Sequence, residues 1–249
     1  MAREPMPSAP PPPEAAPIWD VALRQSLRQG SSRFELDIAF RSAAQRVVLF
    51  GPSGAGKTQT LKLIAGIAAP ARGHIVLAGR RLYDSERGVH STPQQRHLAL
   101  VFQDYALFPH LNVRQNLAFA QRHGLRNPGR AHSSEAVERW LERFGLQAVG
   151  GHYPHQLSGG QRQRTALARA LVSEPAALLL DEPFAALDKG LRVRLRAELK
   201  ALQVQLGLPL LLITHDDDDV DCLAQETVCL EAGRVVAPAA DPARPTHTG

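Results

Sequence analysis

The sequence predicts an α/β fold organised around a mostly parallel β-sheet. Short runs at 47–50, 98–102, 176–180 and 210–213 are apolar at every position, which is typical of strands covered on both faces. Helix-like segments separate these runs, and such alternation favours a parallel sheet with helices on both sides. Residues 51–58 read GPSGAGKT and fit the phosphate-loop pattern G-x-x-x-x-G-K-[ST] between a strand and a helix.

The phosphate loop is expected to bind a nucleotide. Its glycines let successive backbone N–H groups converge on one anion, and the following helix adds the partial positive charge of its N-terminus. Lys57 is expected to reach the β- and γ-phosphates, and the Thr58 hydroxyl to ligate Mg²⁺. The predicted contacts come from Gly51, Pro52, Ser53, Gly54, Ala55, Gly56, Lys57 and Thr58.

The composition is that of an ordinary globular protein, with 44% hydrophobic and 21% charged residues. No apolar run approaches the ~20 residues that span a bilayer. The N-terminus has no hydrophobic signal core, so we expect no export. Cys222 and Cys229 are too few for a disulfide framework and favour a reducing compartment. The basic residues are scattered apart from Arg162, Arg164 and Arg169, so the formal charge of +5 does not distinguish an anionic partner from a solvated surface.

The first third of the chain reads as a tail followed by strands and one helix. Residues 1–17 are rich in proline and are expected to be disordered. Partial alternation over 19–40 predicts half-buried antiparallel strands. The phosphate loop leads into a helix over 58–65, and 73–79 predicts a short strand that ends in a turn.

The middle of the chain, 113–151, reads as helical. Ser134 and Gly145 delimit one of its helices as cap and stop. The apolar residues between them recur at the spacing of one helix face, which predicts core or domain-interface packing. A further helix is expected from the stretch 157–161 to about Val172. Leucines on one face of 191–206 predict the next helix, closed by a glycine and a proline.

Polar side chains follow three of the apolar strands, where ligands of parallel sheets bind. Asp181 and Glu182 form a Walker B arrangement. Asp181 can hold Mg²⁺ directly or through water, and Glu182 is placed to act as general base on an attacking water. His215 can contact the γ-phosphate, and Gln103 lies beside the phosphates. The alternatives are strand-end capping for the acids and ordinary surface positions for Gln103 and His215.

The stretch 157–161 reads LSGGQ and resembles the signature motif of ATP-binding cassette (ABC) ATPases. The resemblance extends over about 19–236. It implies a P-loop NTPase fold of the ABC-cassette type, with an antiparallel β subdomain and a helical subdomain at about 104–172. The implied domain is 18–236, followed by a disordered tail at 237–249.

The resemblance also assigns roles. It implies that Gln103 is the Q-loop glutamine and a further Mg²⁺ ligand, that Asp188 belongs to the D-loop, and that His215 is the switch histidine. In this family the signature faces the phosphate loop of a second cassette. A homodimer would therefore bury ATP and Mg²⁺ and hydrolyse the ATP. The nucleotide contacts expected from the signature are Ser158, Gly159, Gly160 and Gln161.

Three positions depart from the family pattern. Gln59 stands where the family commonly has Ser or Thr. Residues 26–30 lack the aromatic side chain that usually stacks on adenine, which leaves Phe34 and Trp19 as candidates. The acidic run 216–219 follows the switch histidine, where it predicts either a helix start or a metal site.

The class within the family is predicted to be an importer ATPase. One phosphate loop, and only a short segment between Gln103 and Ser158, argue against the soluble ABC ATPases of DNA repair or translation. Residues 152–156 do not resemble the stretch that precedes the signature in exporters. The implied partners are transmembrane permease subunits and, indirectly, a solute-binding protein, with no nucleic acid. The implied location is peripheral, on the cytoplasmic face of the inner membrane.

The transported solute is predicted from weaker resemblances. Residues 101–110 resemble importers of oxyanions, polyamines, iron and sugars. The stretch 82–96 looks most like molybdate importer ATPases, and 33–40 points the same way. Molybdate is therefore predicted, with sulfate or thiosulfate as the alternative.

The chain ends soon after 233–236, so the C-terminal β-domain of many relatives is expected to be absent. Phe108 and Leu111 are the expected apolar anchors for a permease, with core packing as the equal alternative.

Overall fold

The computed structural model describes residues 16–29, 32–121, 128–129 and 134–236. The expected tails lie outside the described residues except for positions 16 and 17. Parts of the predicted helical region also lie outside them, at 122–127 and 130–133.

The described residues form one sheet of eleven strands in the order β6-β5-β4-β1-β2-β11-β10-β3-β9-β8-β7. The strands are β1 (Trp19–Gln29), β2 (Ser32–Ser42), β3 (Arg46–Phe50), β4 (Arg72–Leu77), β5 (Arg80–Asp84), β6 (Val89–His90), β7 (Leu98–Val101), β8 (Ala177–Asp181), β9 (Leu210–Thr214), β10 (Glu226–Glu231) and β11 (Arg234–Val236).

One half of the sheet is parallel, as predicted. Strands β10, β3, β9, β8 and β7 pair in parallel with one another, in that order, and β11 pairs antiparallel with β10. All residues of β8 and β9 are buried, which explains why their sequences show no alternation. The carboxyl ends of these strands share one edge, so the residues that follow them lie close together.

The other half is antiparallel. Strands β1 and β2 form the predicted hairpin, and β4, β5 and β6 extend it. A parallel contact between β11 and β2 joins the two halves. Strands β5 and β6 were not predicted, because Leu82, Tyr83 and Asp84 are consecutive buried residues without alternation.

Seven α-helices occur in the described residues. They are α1 (Lys57–Ala65), α2 (Pro93–Arg96), α3 (Val113–Phe119), α4 (Glu135–Arg143), α5 (Gly159–Leu171), α6 (Lys189–Leu206) and α7 (Asp217–Leu223). None of them is long and apolar enough to cross a lipid bilayer.

The described part of 113–151 is mainly helical, as predicted. The described part contains two helices, α3 and α4, and a short 3₁₀ turn. The predicted limits of α4 are confirmed, because the Ser134 side chain accepts a hydrogen bond from the Val137 N–H and Gly145 follows with φ 61°. Capping residues mark where a helix begins, but the sequence pattern did not show where α3 ends.

Two apolar cores lie on opposite faces of the parallel strands. In β9, Leu210 and Leu212 belong to the core formed with α3 to α7, whereas Leu211 and Ile213 belong to the core formed with α1 and the antiparallel strands. This division follows from the two-residue period of a strand. The sheet is thereby fixed between two layers and holds its carboxyl edge in place.

Candidate nucleotide site

The phosphate loop connects β3 to α1 at the carboxyl edge of the sheet. Gly54 and Gly56 have φ of 82° and 98°, values that residues with a Cβ atom rarely adopt. A Cβ atom at Gly56 would also lie 2.7 Å from Leu36 Cδ1. The Gly233 N–H donates to the Ala55 carbonyl at 3.1 Å, which ties the loop to the turn between β10 and β11.

Lys57 is buried at the base of this loop. Its Nζ donates to the carbonyls of Gly51 at 2.7 Å and Pro52 at 2.9 Å. Burial lowers the pKa of the Lys57 ammonium, and the carboxylates of Glu182 and Asp181 oppose that change. The Lys57 Nζ is therefore held at the base of the loop by two of the loop's own carbonyl groups.

The Thr58 hydroxyl donates to Asp181 Oδ1 at 3.1 Å. Burial raises the pKa of Asp181, while the Thr58 hydrogen bond opposes the shift. A buried carboxylate beside a hydroxyl offers the hard oxygen ligands that Mg²⁺ prefers. A bound cation would also stabilise the ionised form of Asp181, which burial disfavours. The donor set therefore fits Mg²⁺.

Glu182 lies one residue beyond β8 in a left-handed conformation, with φ 45°. Its N–H donates to the Ile213 carbonyl of β9 at 3.0 Å, so the neighbouring strand fixes the turn. His215 Nδ1 lies 3.0 Å from Glu182 Oε1. A residue held in this conformation lowers the stability of the fold by about 1–3 kcal/mol, and such residues cluster at functional sites. The conformation of Glu182 therefore indicates a functional role for its carboxylate.

Gln103 follows β7 and is exposed. It lines the same cleft as Ser53, Glu182 and His215. The structure thus brings together the strand-end residues that the sequence singled out. This arrangement can place a water between a carboxylate and the phosphates of a bound nucleotide.

The opposite side of the loop is lined by Leu27, Arg33, Phe34 and Gln59. These residues share a cleft with the phosphate loop and fit the position of a nucleoside. Trp19 is fully buried in the core. The prediction of Trp19 as an adenine-stacking residue is therefore wrong, and Phe34 is the aromatic side chain that reaches the cleft.

The metal-site alternative for 216–219 is wrong. The Asp219 carboxylate is buried, accepts from the Thr214 hydroxyl at 2.6 Å and forms an ion pair with Arg196. Asp216 accepts from Arg192 Nη1 at 2.7 Å and caps α7 through the Asp218 N–H. The described residues contain no cluster of three or more metal-binding side chains. The run is a helix start held by two arginines of α6.

The signature residues begin α5. Ser158 Oγ accepts from the Gln161 N–H at 3.2 Å, and Gln161 Oε1 accepts from the Ser158 N–H at 2.9 Å. Gln161 is therefore engaged in a capping box. Asp188 caps α6 by accepting from the Leu191 N–H. None of these residues lines the two clefts at the phosphate loop, so one chain keeps its signature apart from its phosphate loop.

The loop between Gln103 and α3 is held from below by Asn116, which is fully buried. Its side chain bonds the N–H and carbonyl of Phe108 and the Leu111 carbonyl. Leu111 is 2% exposed, so it packs in the interior and is not a permease anchor. Phe108 is half-buried, with its ring centroid 4.4 Å from that of Phe119.

The fold and the site define a phosphate-loop nucleotide-binding protein. Residues 37–185 match the family model described as ABC transporter. The chain belongs to this family, and it carries the family's ATP-binding domain.

Curated relatives include importers of different solutes. The chain is 43% identical over 187 residues to the trehalose/maltose import ATP-binding protein MalK of Thermococcus litoralis. It is 46% identical over 189 residues to the sulfate/thiosulfate import ATP-binding protein CysA 2 of Chromobacterium violaceum. It is 40% identical over 220 residues to the molybdenum import ATP-binding protein ModC of Albidiferax ferrireducens.

These matches cover 75%, 76% and 87% of this chain but 50%, 49% and 58% of the three relatives. The chain thus spans about half the length of the curated relatives it matches. Among solved structures, the ATP-binding cassette MJ0796, described as a dimeric post-hydrolysis state bound to ADP and Pi, superposes with a TM-score of 0.71 at 26% identity. That match covers 88% of this chain and 97% of MJ0796.

The sequence did not indicate the residues that support the site by bonding to its loops and helix starts. Arg169 was noted only as one of three clustered basic residues, and Arg192, Arg196 and Asn116 were not singled out. A signal was present for two of them, because Arg192 and Arg196 are four residues apart on one helix face. No sequence signal shows that Arg169 contacts the loop after Gln103.

Proposed function

We propose that this chain is the ATP-hydrolysing subunit of an ABC importer that takes up an oxyanion, most specifically molybdate. Two copies bury ATP and Mg²⁺ between the phosphate loop of one and the signature of the other. The pair associates with transmembrane permease subunits on the cytoplasmic face of the membrane, and indirectly with a solute-binding protein. The observation that carries the ATPase proposal is Glu182, held 3.0 Å from His215 beside the phosphate loop.

The proposed chemistry assigns one task to each side chain. Lys57 and the loop amides bind the phosphates, while Thr58, Asp181 and Gln103 hold Mg²⁺. Mg²⁺, when bound, withdraws charge from the phosphate oxygens. His215 fixes Oε1 of Glu182, which leaves Oε2 to accept the proton of the attacking water.

Phe34 is proposed to contact the adenine ring, because it is the aromatic residue that lines the cleft beside the phosphate loop. Stacking of a base on an aromatic side chain contributes about 1–3 kcal/mol. We therefore expect Phe34→Ala to weaken ATP binding about tenfold by equilibrium titration. Tripolyphosphate, which lacks the base, should bind the variant and the unsubstituted chain equally. Unchanged ATP affinity would show that Phe34 does not contact the base.

The molybdate proposal rests on the resemblance of 82–96 and on the ModC match, which extends over 87% of this chain. Sulfate or thiosulfate is the second candidate, since the CysA 2 match has the higher identity, 46% against 40%. A sugar importer is favoured by the MalK match and by the weaker resemblance of 101–110. Iron and polyamine importers are favoured only by that weaker resemblance. The site itself does not discriminate, because this domain need not contact the transported solute.

The substrate is tested by reconstituting the chain with its permease and binding protein in vesicles. We expect molybdate to stimulate ATP hydrolysis several-fold over the basal rate, and sulfate and thiosulfate to leave it near basal. The same vesicles carrying Glu182→Gln provide the background. Stimulation by sulfate or thiosulfate alone would contradict the molybdate proposal while leaving importer function intact. Failure to associate with membranes that contain the permease would favour a non-transport ABC ATPase.

A further inference from the structure

We propose that Arg169 is a positioning residue that holds the turn after Gln103 and thereby sets how tightly the site binds Mg²⁺-nucleotide. The inference rests on the proposed function, in which Gln103 ligates Mg²⁺. Arg169 itself contacts neither phosphate loop cleft, so it would act through the loop.

The guanidinium of Arg169 donates hydrogen bonds to two consecutive carbonyl groups. Its Nη1 donates to the Ala106 carbonyl at 2.7 Å, and its Nη2 donates to the Tyr105 carbonyl at 2.9 Å. The planar fork of arginine matches such a pair of acceptors, and a lysine ammonium does not reproduce it. The contact is therefore specific to arginine at this position.

The two gripped residues are in an unfavourable conformation. Tyr105 and Ala106 have φ of 63° and 42°, in the left-handed region that residues with a Cβ atom avoid. Such a turn persists only where its surroundings impose it. Two hydrogen bonds from Arg169 fall on the two carbonyls of this turn, so the side chain supplies part of that constraint.

The same turn touches the reacting end of the site. The Tyr105 hydroxyl lies 3.4 Å from the Pro183 carbonyl, one residue beyond Glu182. On its far side, the Phe108 ring lies 5.5 Å from the Arg169 guanidinium carbon. The turn is thus fixed between the Walker B segment and α5.

Helix α5 provides the mechanical connection. It begins at the signature and is one continuous helix over Gly159–Leu171. Arg169 lies in its last turn and reaches the Gln103 loop. A displacement of the signature end of α5 would therefore move Arg169 and the carbonyls of Tyr105 and Ala106 that it holds. In the proposed dimer, docking of one chain's signature on its partner would change the position of Gln103, the proposed Mg²⁺ ligand, in the chain that carries that signature.

Arg164 offers a matched control on the same helix. It forms a bidentate pair with Glu198 of α6 at 2.7 and 3.1 Å and makes no contact with the Gln103 loop among its hydrogen bonds. Arg164→Met and Arg169→Met remove the same charge and the same number of donors from α5. A general loss of helix packing would affect both variants, whereas a positioning effect is confined to Arg169.

The experiment uses the full chain with Glu182→Gln, so that ATP is bound without turnover. Amide hydrogen exchange is measured without nucleotide, and the affinity for a fluorescent ATP analogue is measured as Mg²⁺ is titrated. We expect Arg169→Met to speed exchange over 105–108 at least tenfold and to raise the half-saturating Mg²⁺ concentration about fivefold. Affinity in the presence of EDTA should stay within twofold, and Arg164→Met should match the reference in both measurements.

A double variant separates positioning from packing. Gln103→Ala should raise the Mg²⁺ requirement as Arg169→Met does, and the two together should raise it no further. Arg169→Lys, which keeps the charge and loses the fork, should fall between the reference and Arg169→Met. If Arg169→Met does not fold, the lysine variant serves for the same comparison.

Two results would overturn the inference. One is exchange over 105–108 equal to that of the Arg164→Met control, and the other is a shift in Mg²⁺ requirement that adds to that of Gln103→Ala. Absence of Mg²⁺-dependent ATP binding in the reference chain would instead contradict the proposed function, and with it the link to Mg²⁺. The exchange measurement would still decide whether Arg169 holds the turn.

Discussion

Replacing Glu182 with glutamine is expected to lower the rate of ATP hydrolysis at least a hundredfold and to leave ATP binding within about threefold. General bases contribute about 10²–10⁴-fold to rate. The glutamine amide keeps the shape of the side chain, and its oxygen can still accept from His215 Nδ1, but it cannot take a proton from water. The measurement is phosphate release at saturating ATP and Mg²⁺, with affinity measured separately by equilibrium titration.

Glu198→Gln is the matched control for this prediction. It makes the same change at an exposed acid that pairs with Arg164 on the far side of α5. We expect its rate to equal that of the unsubstituted chain. Near-normal turnover in Glu182→Gln would remove Glu182 as the base and would direct attention to another group in the cleft.

The carboxyl edge of the sheet could be predicted because its determinants are local. Fully apolar strands mark a parallel sheet, and polar residues that directly follow them must meet at one edge. Asp181, Glu182 and His215 were placed correctly on these grounds. The contact between the Glu182 and His215 side chains could not be predicted, because it depends on the register in which β8 and β9 are paired.

Residues that act on a distant loop could not be predicted. Arg169 contacts carbonyls more than sixty positions earlier in the chain, and a backbone carbonyl leaves no trace in the residue type. The left-handed turn at Tyr105 and Ala106 is invisible for a similar reason, because neither residue is a glycine or an asparagine. The two arginines of α6 that pair with Asp216, Asp218 and Asp219 differ in part: their helix and their shared face could be predicted, but the docking of that helix could not.

The Trp19 error had a different cause. Trp19, Val21 and Leu23 alternate along one strand, and all three are buried. The two-residue period therefore places Trp19 in the core, and the period was given less weight than the need for an aromatic side chain. Phe34 belongs to the paired strand β2, where its half-buried side chain reaches the edge of the phosphate loop.

If the site is divided between two chains as proposed, Gly159→Asp is expected to be as damaging to function as Glu182→Gln. An aspartate in the first turn of α5 stabilises the helix by about 0.3–1 kcal/mol, and a Cβ at this position meets Leu187 only at ordinary contact distance. The variant should therefore fold. Its carboxylate would face the γ-phosphate on the partner and repel it. In the Glu182→Gln background, we expect ATP-driven dimer formation to fall at least a hundredfold, while ATP binding to the single chain stays within twofold.

Gly151→Asp is the control for this variant, because it adds the same charge at an exposed glycine with open space around it and should dimerise like the reference. Mixing then decides where the site lies. A Lys57→Ala chain has a damaged phosphate loop and an intact signature, and a Gly159→Asp chain has the reverse. Since a mixed pair contains one site with both intact halves, we expect mixing to restore dimers that occlude one ATP, although neither variant does so alone. Failure of the mixture would mean that each chain completes its own site, contrary to the separation of Ser158 and its neighbours from both clefts.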